Sequence, residues 1–349
     1  MATNESYKFN IATNSGGQTT VEVAYNNQTN QASTFLRLGF SPDTLSKMNG
    51  QNMGITQFME SLLKVYPTYS VIGTTVKNGT AVTGLTYNGT IAGEHIYVPN
   101  TNLTTGVVSI YGQDGDDILK GRTTGANAIY GGAGDDFIVA GGVNDTIDGG
   151  EGYDQVSYSL MTLGISITGA SSNRLNTESV IGSKYNDVIN FTNLPTAPVD
   201  GRPISIRGGE GNDSLTGSQF NDVLTGGSGT DTLIGGSGDD VLTGGTAQGD
   251  GTVDTSNDIL TGGAGKDIFT FYKLGEGVDQ ITDFTVQLVS PSLSDQIRVD
   301  KVGFGATSTS QFSYNSTNGA LSFNNQQFAI LANFSTLTGF NVNSHLVLV

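Results

Sequence analysis

The chain has 349 residues, enough for about two or three structural units, with 50 glycines, no cysteine and a formal charge of -17 from 15 Lys+Arg against 32 Asp+Glu. So acidic a chain excludes nucleic acid and anionic membrane as electrostatic partners. Two histidines and no cysteine leave zinc, haem and iron–sulfur sites almost without ligands, whereas hard carboxylate oxygens suit calcium.

Residues 1–35 are rich in Thr, Asn, Gln and Ser, and the alternation at Thr20-Val21-Glu22-Val23-Ala24-Tyr25 predicts one or two strands. Ser41-Pro42-Asp43 is a helix-start signal. A short amphipathic helix is predicted over 55–66, where Phe58, Leu62 and Val65 share a face before Pro67. From Tyr69 to Tyr111 β-prone runs alternate with Asn78-Gly79 and Asn88-Gly89, dipeptides that favour tight hairpins. The opening residues carry neither a basic region nor an apolar run, so no conventional signal peptide is expected. No segment reaches the apolar length of a membrane span.

A period of nine begins at Gly112-Gln113-Asp114-Gly115-Asp116-Asp117-Ile118-Leu119 and is clearest from Ile206 to Phe271. Gly208-Gly209-Glu210-Gly211-Asn212-Asp213-Ser214-Leu215-Thr216 sets its grammar: glycines first, Asp sixth, an aliphatic residue eighth. Glycine permits a turn at positive φ that brings carbonyls inward, Asp adds a carboxylate, and the aliphatic residue enters a core. The sixth position is filled by Asp117, Asp136, Asp145, Asp154, Asp187, Asp213, Asp222, Asp231, Asp240, Asp258 and Asp267. Leu215, Leu224, Leu233, Leu242, Leu260 and Phe269 fill the eighth.

Successive turns of a roll alternate sides, so residues eighteen apart share one. Asp213 and Asp231 are then predicted on one side, and Asp222, Asp240 and Asp258 on the other, with the insertion at 249–254 preserving phase. Metal ligands are expected from these aspartates and from glycines such as Gly208, Gly211, Gly226, Gly229, Gly235 and Gly238. Thr225, Thr243 and Thr261, also eighteen apart, are predicted to line one outer face beside Val223, Val241 and Ile259.

Gly-Gly-x-Gly-x-Asp-x-aliphatic-x over residues 112–270 resembles the RTX family of haemolysin-type calcium-binding repeats. Gly182-Ser183-Lys184-Tyr185-Asn186-Asp187 is similar to a variant turn of that family, and Asp279-Gln280-Ile281-Thr282-Asp283-Phe284 to its C-terminal cap. The resemblance implies an all-β protein: a parallel β-roll over 106–275, with interruptions at 158–180 and 191–203. A small, mainly β N-terminal region with a short helix (1–105) precedes it, and a C-terminal β cap with secretion signal (276–349) follows. It also implies several calcium ions, export by type I secretion machinery, an extracellular location and a chain that folds only where calcium is plentiful.

Enzymatic signatures are missing. The chain has no His-Glu-x-x-His helix, no Gly-x-Ser-x-Gly elbow outside the repeat grammar, and no phosphate loop at Gly265-Lys266. The expectation is a non-enzymatic, calcium-dependent protein that self-associates into a surface layer or matrix. A binding module that grips polysaccharide or ice through the threonine face is the alternative, ahead of a small RTX hydrolase or toxin.

Overall fold

The computed structural model describes strand backbones within residues 4–13, 18–26, 31–36 and 69–74. Beyond these it describes 85–89, 93, 95–97, 106–142, 144–168, 174–192, 202–245 and 253–349. The predicted helix at 55–66 and the Asn78-Gly79 turn lie outside the described residues. The chain divides into two compact units, Met1–Asp154 and Gln155–Val349.

In the first unit, Gln31–Leu36, Gln18–Asn26, Asn4–Thr13 and Tyr69–Thr74 form an antiparallel sheet in that order. The alternating stretch around Val21 and Val23 is therefore a strand, as its pattern predicts. The remaining strands pair in parallel. Leu85–Asn88, Val108–Asp114, Asn127–Ala133 and Thr146–Glu151 follow one another in one ladder. His95–Tyr97, Ile118–Lys120 and Phe137–Val139 form a second. Asn88-Gly89 does not close a hairpin: the strand before it pairs in parallel with Val108–Asp114 and Gly89 N–H donates to the Tyr111 carbonyl, so the local turn preference yields to the roll. The buried Ile110, Ile129 and Ile147 stack in register. Outside them the rings of Tyr111 and Tyr130 lie parallel, 4.8 Å apart.

The second unit has two parallel ladders. The first runs Gln155–Ser157, Ser179–Ile181, Ile204–Glu210, Asp222–Ser228, Val241–Thr243, Ile268–Phe271, Gln296–Val299, Leu346–Leu348. The second runs Ser166–Thr168, Val188–Asn190, Ser214–Thr216, Thr232–Ser237, Ile259–Ala264, Asp279–Ile281, Gln326–Leu331. Pairing thus continues across the apolar stretch 158–180, where Ser166–Thr168 and Ser179–Ile181 take their places in the two ladders. Leu215, Leu224, Leu233, Leu242, Leu260 and Phe269 are all completely buried, so the eighth position is the core position. Each contributes one side chain to a thin core, at roughly 1.5–3 kcal/mol of burial apiece.

Two strands, Ala320–Phe323 and Phe312–Asn315, add to Gln326–Leu331 in antiparallel fashion and end the second ladder. Phe304, Phe312, Phe323 and Phe328 pack ring on ring behind them. His345 is buried against Phe284 and Phe340, which gives it a packing role. Among the described residues no helix is long and apolar enough to cross a membrane.

One sequence expectation fails in the second unit. Leu233 pairs with Leu260 and Leu242 with Phe269, each 27 residues on, instead of eighteen. The insertion after Asp240 adds one whole period, which is half a turn of the roll, so every later residue changes side. Thr261 accordingly pairs with Ile234 in the second ladder, whereas Thr225 and Thr243 pair in the first. Thr243 is moreover buried. The predicted threonine face does not exist.

Candidate metal centre

At the end of each strand the chain turns through its glycines and the sixth-position Asp folds back beneath them. The Asp Oδ1 accepts a hydrogen bond from the backbone N–H at the equivalent position one turn earlier. In the first unit Asp117 N–H donates to Asp136 (2.8 Å) and Asp136 N–H to Asp154 (2.9 Å), while Asn127 N–H donates to Asp145 (2.8 Å). In the second unit one column runs Asp187, Asp213, Asp231, Asp258, Asp279, with rungs of 2.7–3.0 Å. The other runs Asp222, Asp240, Asp267, Asp295, with rungs of 2.8–3.0 Å. Asp258 therefore stands beneath Asp231 rather than Asp240, the site-level consequence of the inserted half-turn. Asp279 and Asp295, which the strict nine-residue count passes over, continue the columns beyond the repeats.

Oδ2 is the informative atom. In Asp136, Asp213, Asp231, Asp240, Asp258 and Asp267 it is buried and accepts no hydrogen bond. A buried carboxylate oxygen left without a partner costs about 1–3 kcal/mol or more. It lies against the first glycine of its own turn. A Cβ added to Gly208 would overlap Asp213 Oδ2 and sit 2.6 Å from the Gly226 carbonyl oxygen, and the same clash recurs at Gly226 with Asp231 Oδ2 and the Gly244 carbonyl. The second glycine is needed for a different reason: Gly227 has φ +120°, with its missing Cβ directed at the Gly209 carbonyl of the turn before. Each turn thus gathers an orphaned carboxylate oxygen and a neighbouring glycine carbonyl around a space that no side chain can occupy.

Burial pushes these carboxyls far up, with neighbouring aspartates adding to it: Asp136, Asp213 and Asp267 to about 7, Asp231 and Asp240 to about 8. Asp258 and Asp279 shift the same way, again chiefly through burial. A dication placed among them reverses this cost and completes the oxygen shell. Calcium takes six to eight oxygens at about 2.3–2.6 Å and accepts carbonyls as readily as carboxylates. Among the described residues no three carboxylate or imidazole groups converge on one point, so carbonyls must supply most of each shell. The donor set fits calcium.

Three of the aspartates expected as ligands are arranged differently. Asp187 Oδ2 accepts from Ser183 N (2.6 Å), and Asp222 Oδ2 accepts from Ser218 N (2.5 Å) and Ser218 Oγ (3.1 Å). Asp145 Oδ2 accepts from the N–H groups of Gly141 and Gly142. In these turns the chain itself satisfies the oxygen that stays bare in Asp136, Asp213, Asp231, Asp240, Asp258 and Asp267. The Gly-Ser step in place of Gly-Gly was the sequence signal for two of them.

The fifth position carries a second ladder that the nine-residue grammar did not reveal. Asn212 Oδ1 accepts from Thr230 N, Asn221 Oδ1 from Asp239 N, Asp239 Oδ1 from Lys266 N and Asn257 Oδ1 from Val278 N, at 2.7–2.9 Å. These are exposed rungs that hold adjacent turns parallel at the rim of the cation space.

A family model for the RTX calcium-binding nonapeptide repeat matches four segments, residues 104–123, 122–156, 206–246 and 252–271. No curated protein matches the chain. With parallel ladders, glycine-lined turns and buried aspartates all in place, residues 104–271 carry RTX calcium-binding nonapeptide repeats, and their ligand is Ca2+.

Proposed function

We propose that this is a secreted, non-enzymatic scaffold whose roll folds on calcium outside the cell and then self-associates into a surface layer or extracellular matrix. The observation that carries the reading is the repeated bare Oδ2. Six buried carboxylate oxygens without partners make the metal-free roll unfavourable, so folding is coupled to calcium concentration. The N-terminal region (1–105), the roll (106–275) and the cap (276–349) are its working divisions, and the last holds the address for a type I export channel. Calcium repeats of this kind are typical of secreted proteins and are themselves non-catalytic.

The self-association surface is the outside of the second ladder in the unit Gln155–Val349. There Ile234 and Ile259 stand 39 % and 40 % exposed on adjacent strands, and Val188, 46 % exposed, lies two strands from Ile234. Aliphatic side chains on a flat, repetitive sheet suit contact with another copy or with a regular cell-surface polysaccharide.

Electron microscopy and circular dichroism of the purified chain, with and without calcium, test the reading. Ordered sheets or fibres that form only with calcium, together with a gain of β signal, are the expected result. A chain already folded in chelator, or one that folds on calcium but stays monomeric at every concentration, overturns the corresponding half.

A further inference from the structure

The enlarged turn between Gly244 and Asp258 brings in an acidic residue that the repeat does not specify. Asp254 lies four residues before the sixth-position Asp258, and Glu276 three before Asp279, so neither occupies a sixth position. Both are nevertheless buried, at 4 % and 7 % exposure. They approach the same glycine: a Cβ at Gly245 would lie 3.5 Å from Asp254 Cβ and 3.6 Å from Glu276 Cδ.

Each carboxylate is held by one oxygen and bare at the other. Asp254 Oδ1 accepts from Gly229 N (3.3 Å) and Ser256 N (3.2 Å), and Glu276 Oε2 accepts from Lys273 N (3.2 Å). Asp254 Oδ2 and Glu276 Oε1 are buried and accept nothing. The charges of both also reach Asp258 and Asp279, while Lys273 is the cation whose charge reaches Glu276. Four crowded carboxylates with one nearby ammonium leave a deficit of positive charge inside the protein. Backbone donors fix one oxygen of each acid and leave the other free to take a cation.

We propose that Asp254 and Glu276 form an additional divalent-cation site, outside the nonapeptide register, that joins the inserted loop to the turn following the last repeat. Its donors are oxygen only, which selects a hard cation such as calcium. The inserted period is then more than a tolerated loop: it supplies a ligand that ties the end of the repeats to the cap. The proposal rests on calcium loading of the repeats themselves.

The test counts calcium ions per full-length chain by isothermal titration and native mass spectrometry, for the wild type and for Asp254→Asn/Glu276→Gln. The amides keep the oxygens that accept from Gly229, Ser256 and Lys273 and remove only the charge. The expected result is one ion fewer, with the remaining binding unchanged. An unchanged count in a folded double variant overturns the extra site. A wild type that binds no calcium instead overturns the reading of the repeats, so the two failures are distinguishable. If the double variant does not fold in calcium, Asp254→Asn alone gives the count, with the same two outcomes.

Discussion

The backbone N–H of Asp231 donates to Oδ1 of Asp258 at 2.8 Å, although 27 residues separate them. The rung from Asp240 to Asp267 spans the same 27, whereas those just before the insertion, from Asp213 to Asp231 or Asp222 to Asp240, span eighteen. The column therefore continues across the insertion because the strands that pair on either side of it lie one whole period further apart in sequence. Shortening that loop by removing residues 246–252 is expected to leave the rungs above and below it intact and to change stability by no more than about 1 kcal/mol, since closure entropy varies slowly with loop length. Thermal unfolding in saturating calcium checks this; a melting temperature lowered as far as by loss of a core leucine would refute it.

Asp231 and Asp222 occupy the same repeat position but should respond differently to the same change. Asp231→Asn alters a bare oxygen, so the chain should bind one ion fewer and lose calcium affinity. Asp222→Asn alters an oxygen already held by Ser218, so the ion count should stay as in the wild type. Titration calorimetry on both variants decides; equal losses would show that Ser218 does not take the place of the metal.

Gly208→Ala puts a methyl group where Asp213 Oδ2 and the Gly226 carbonyl converge. It should cost about 2–4 kcal/mol of stability in calcium and remove one ion. Gly142→Ala, where the nearest atom to a new Cβ is 3.3 Å away, should cost under about 1 kcal/mol. Chemical denaturation with calcium measures the difference, and a harmless Gly208→Ala would place the ion elsewhere.

The raised carboxyls set the direction of pH dependence. Asp213, Asp231 and Asp240 rise from 3.8 to about 7, 8 and 8 because folding buries them. An acid with a higher pKa in the folded than in the unfolded state stabilises the fold by being protonated. That contribution is fully present below the unfolded value and is lost as pH rises through about 7 to 8. Without calcium the folded state should therefore be least favoured at mildly alkaline pH. In calcium the protons compete with the metal, so affinity should weaken as pH drops below about 7. A calcium affinity that instead stays constant or strengthens as pH drops below about 7 contradicts the assignment.

Among the described residues of the first unit Arg122 is the largest completely buried side chain, with Nη2 donating to the carbonyls of Gly106 and Ala126. It sits in the degenerate turn above Asn127, where the sixth position has no carboxylate. Its guanidinium supplies a fixed positive charge to carbonyls of a turn that lacks an acidic ligand. Arg122→Met should lower stability by about 2–4 kcal/mol at saturating calcium without changing the number of ions bound, which unfolding and titration together can show.

Much of this was legible because period nine fixes what each residue meets: the eighth-position leucines could only be core, and the sixth-position aspartates could only face the turn. The side of the roll was not legible beyond Asp240. A count by nines cannot distinguish a looped-out period from a folded one, and the threonine face, built from Thr225, Thr243 and Thr261, failed for that reason and because Thr243 is buried. Asp145, Asp187 and Asp222 show a second limit. The same letter at the same position has its charge compensated by a metal or by a neighbouring N–H and hydroxyl, and only the second residue of the turn, Ser183 or Ser218 in two cases, announces which. The Asn and Asp rungs at the fifth position were present in the sequence as Asn212, Asn221, Asp239 and Asn257, but their meaning depends on which turn lies above.

Each sixth-position aspartate reaches back to the turn before it, whereas the fifth-position Asn and Asp reach forward. Loss of Asp258 would strip the Asp231 N–H of its acceptor, yet leave its own N–H bonded to Asp279. Loss of a sixth-position aspartate thus has a polarity: it weakens the elder neighbour of its turn and spares the younger one. Among single-site variants, the amides that lose protection from hydrogen exchange should lie on the N-terminal side of each lesion.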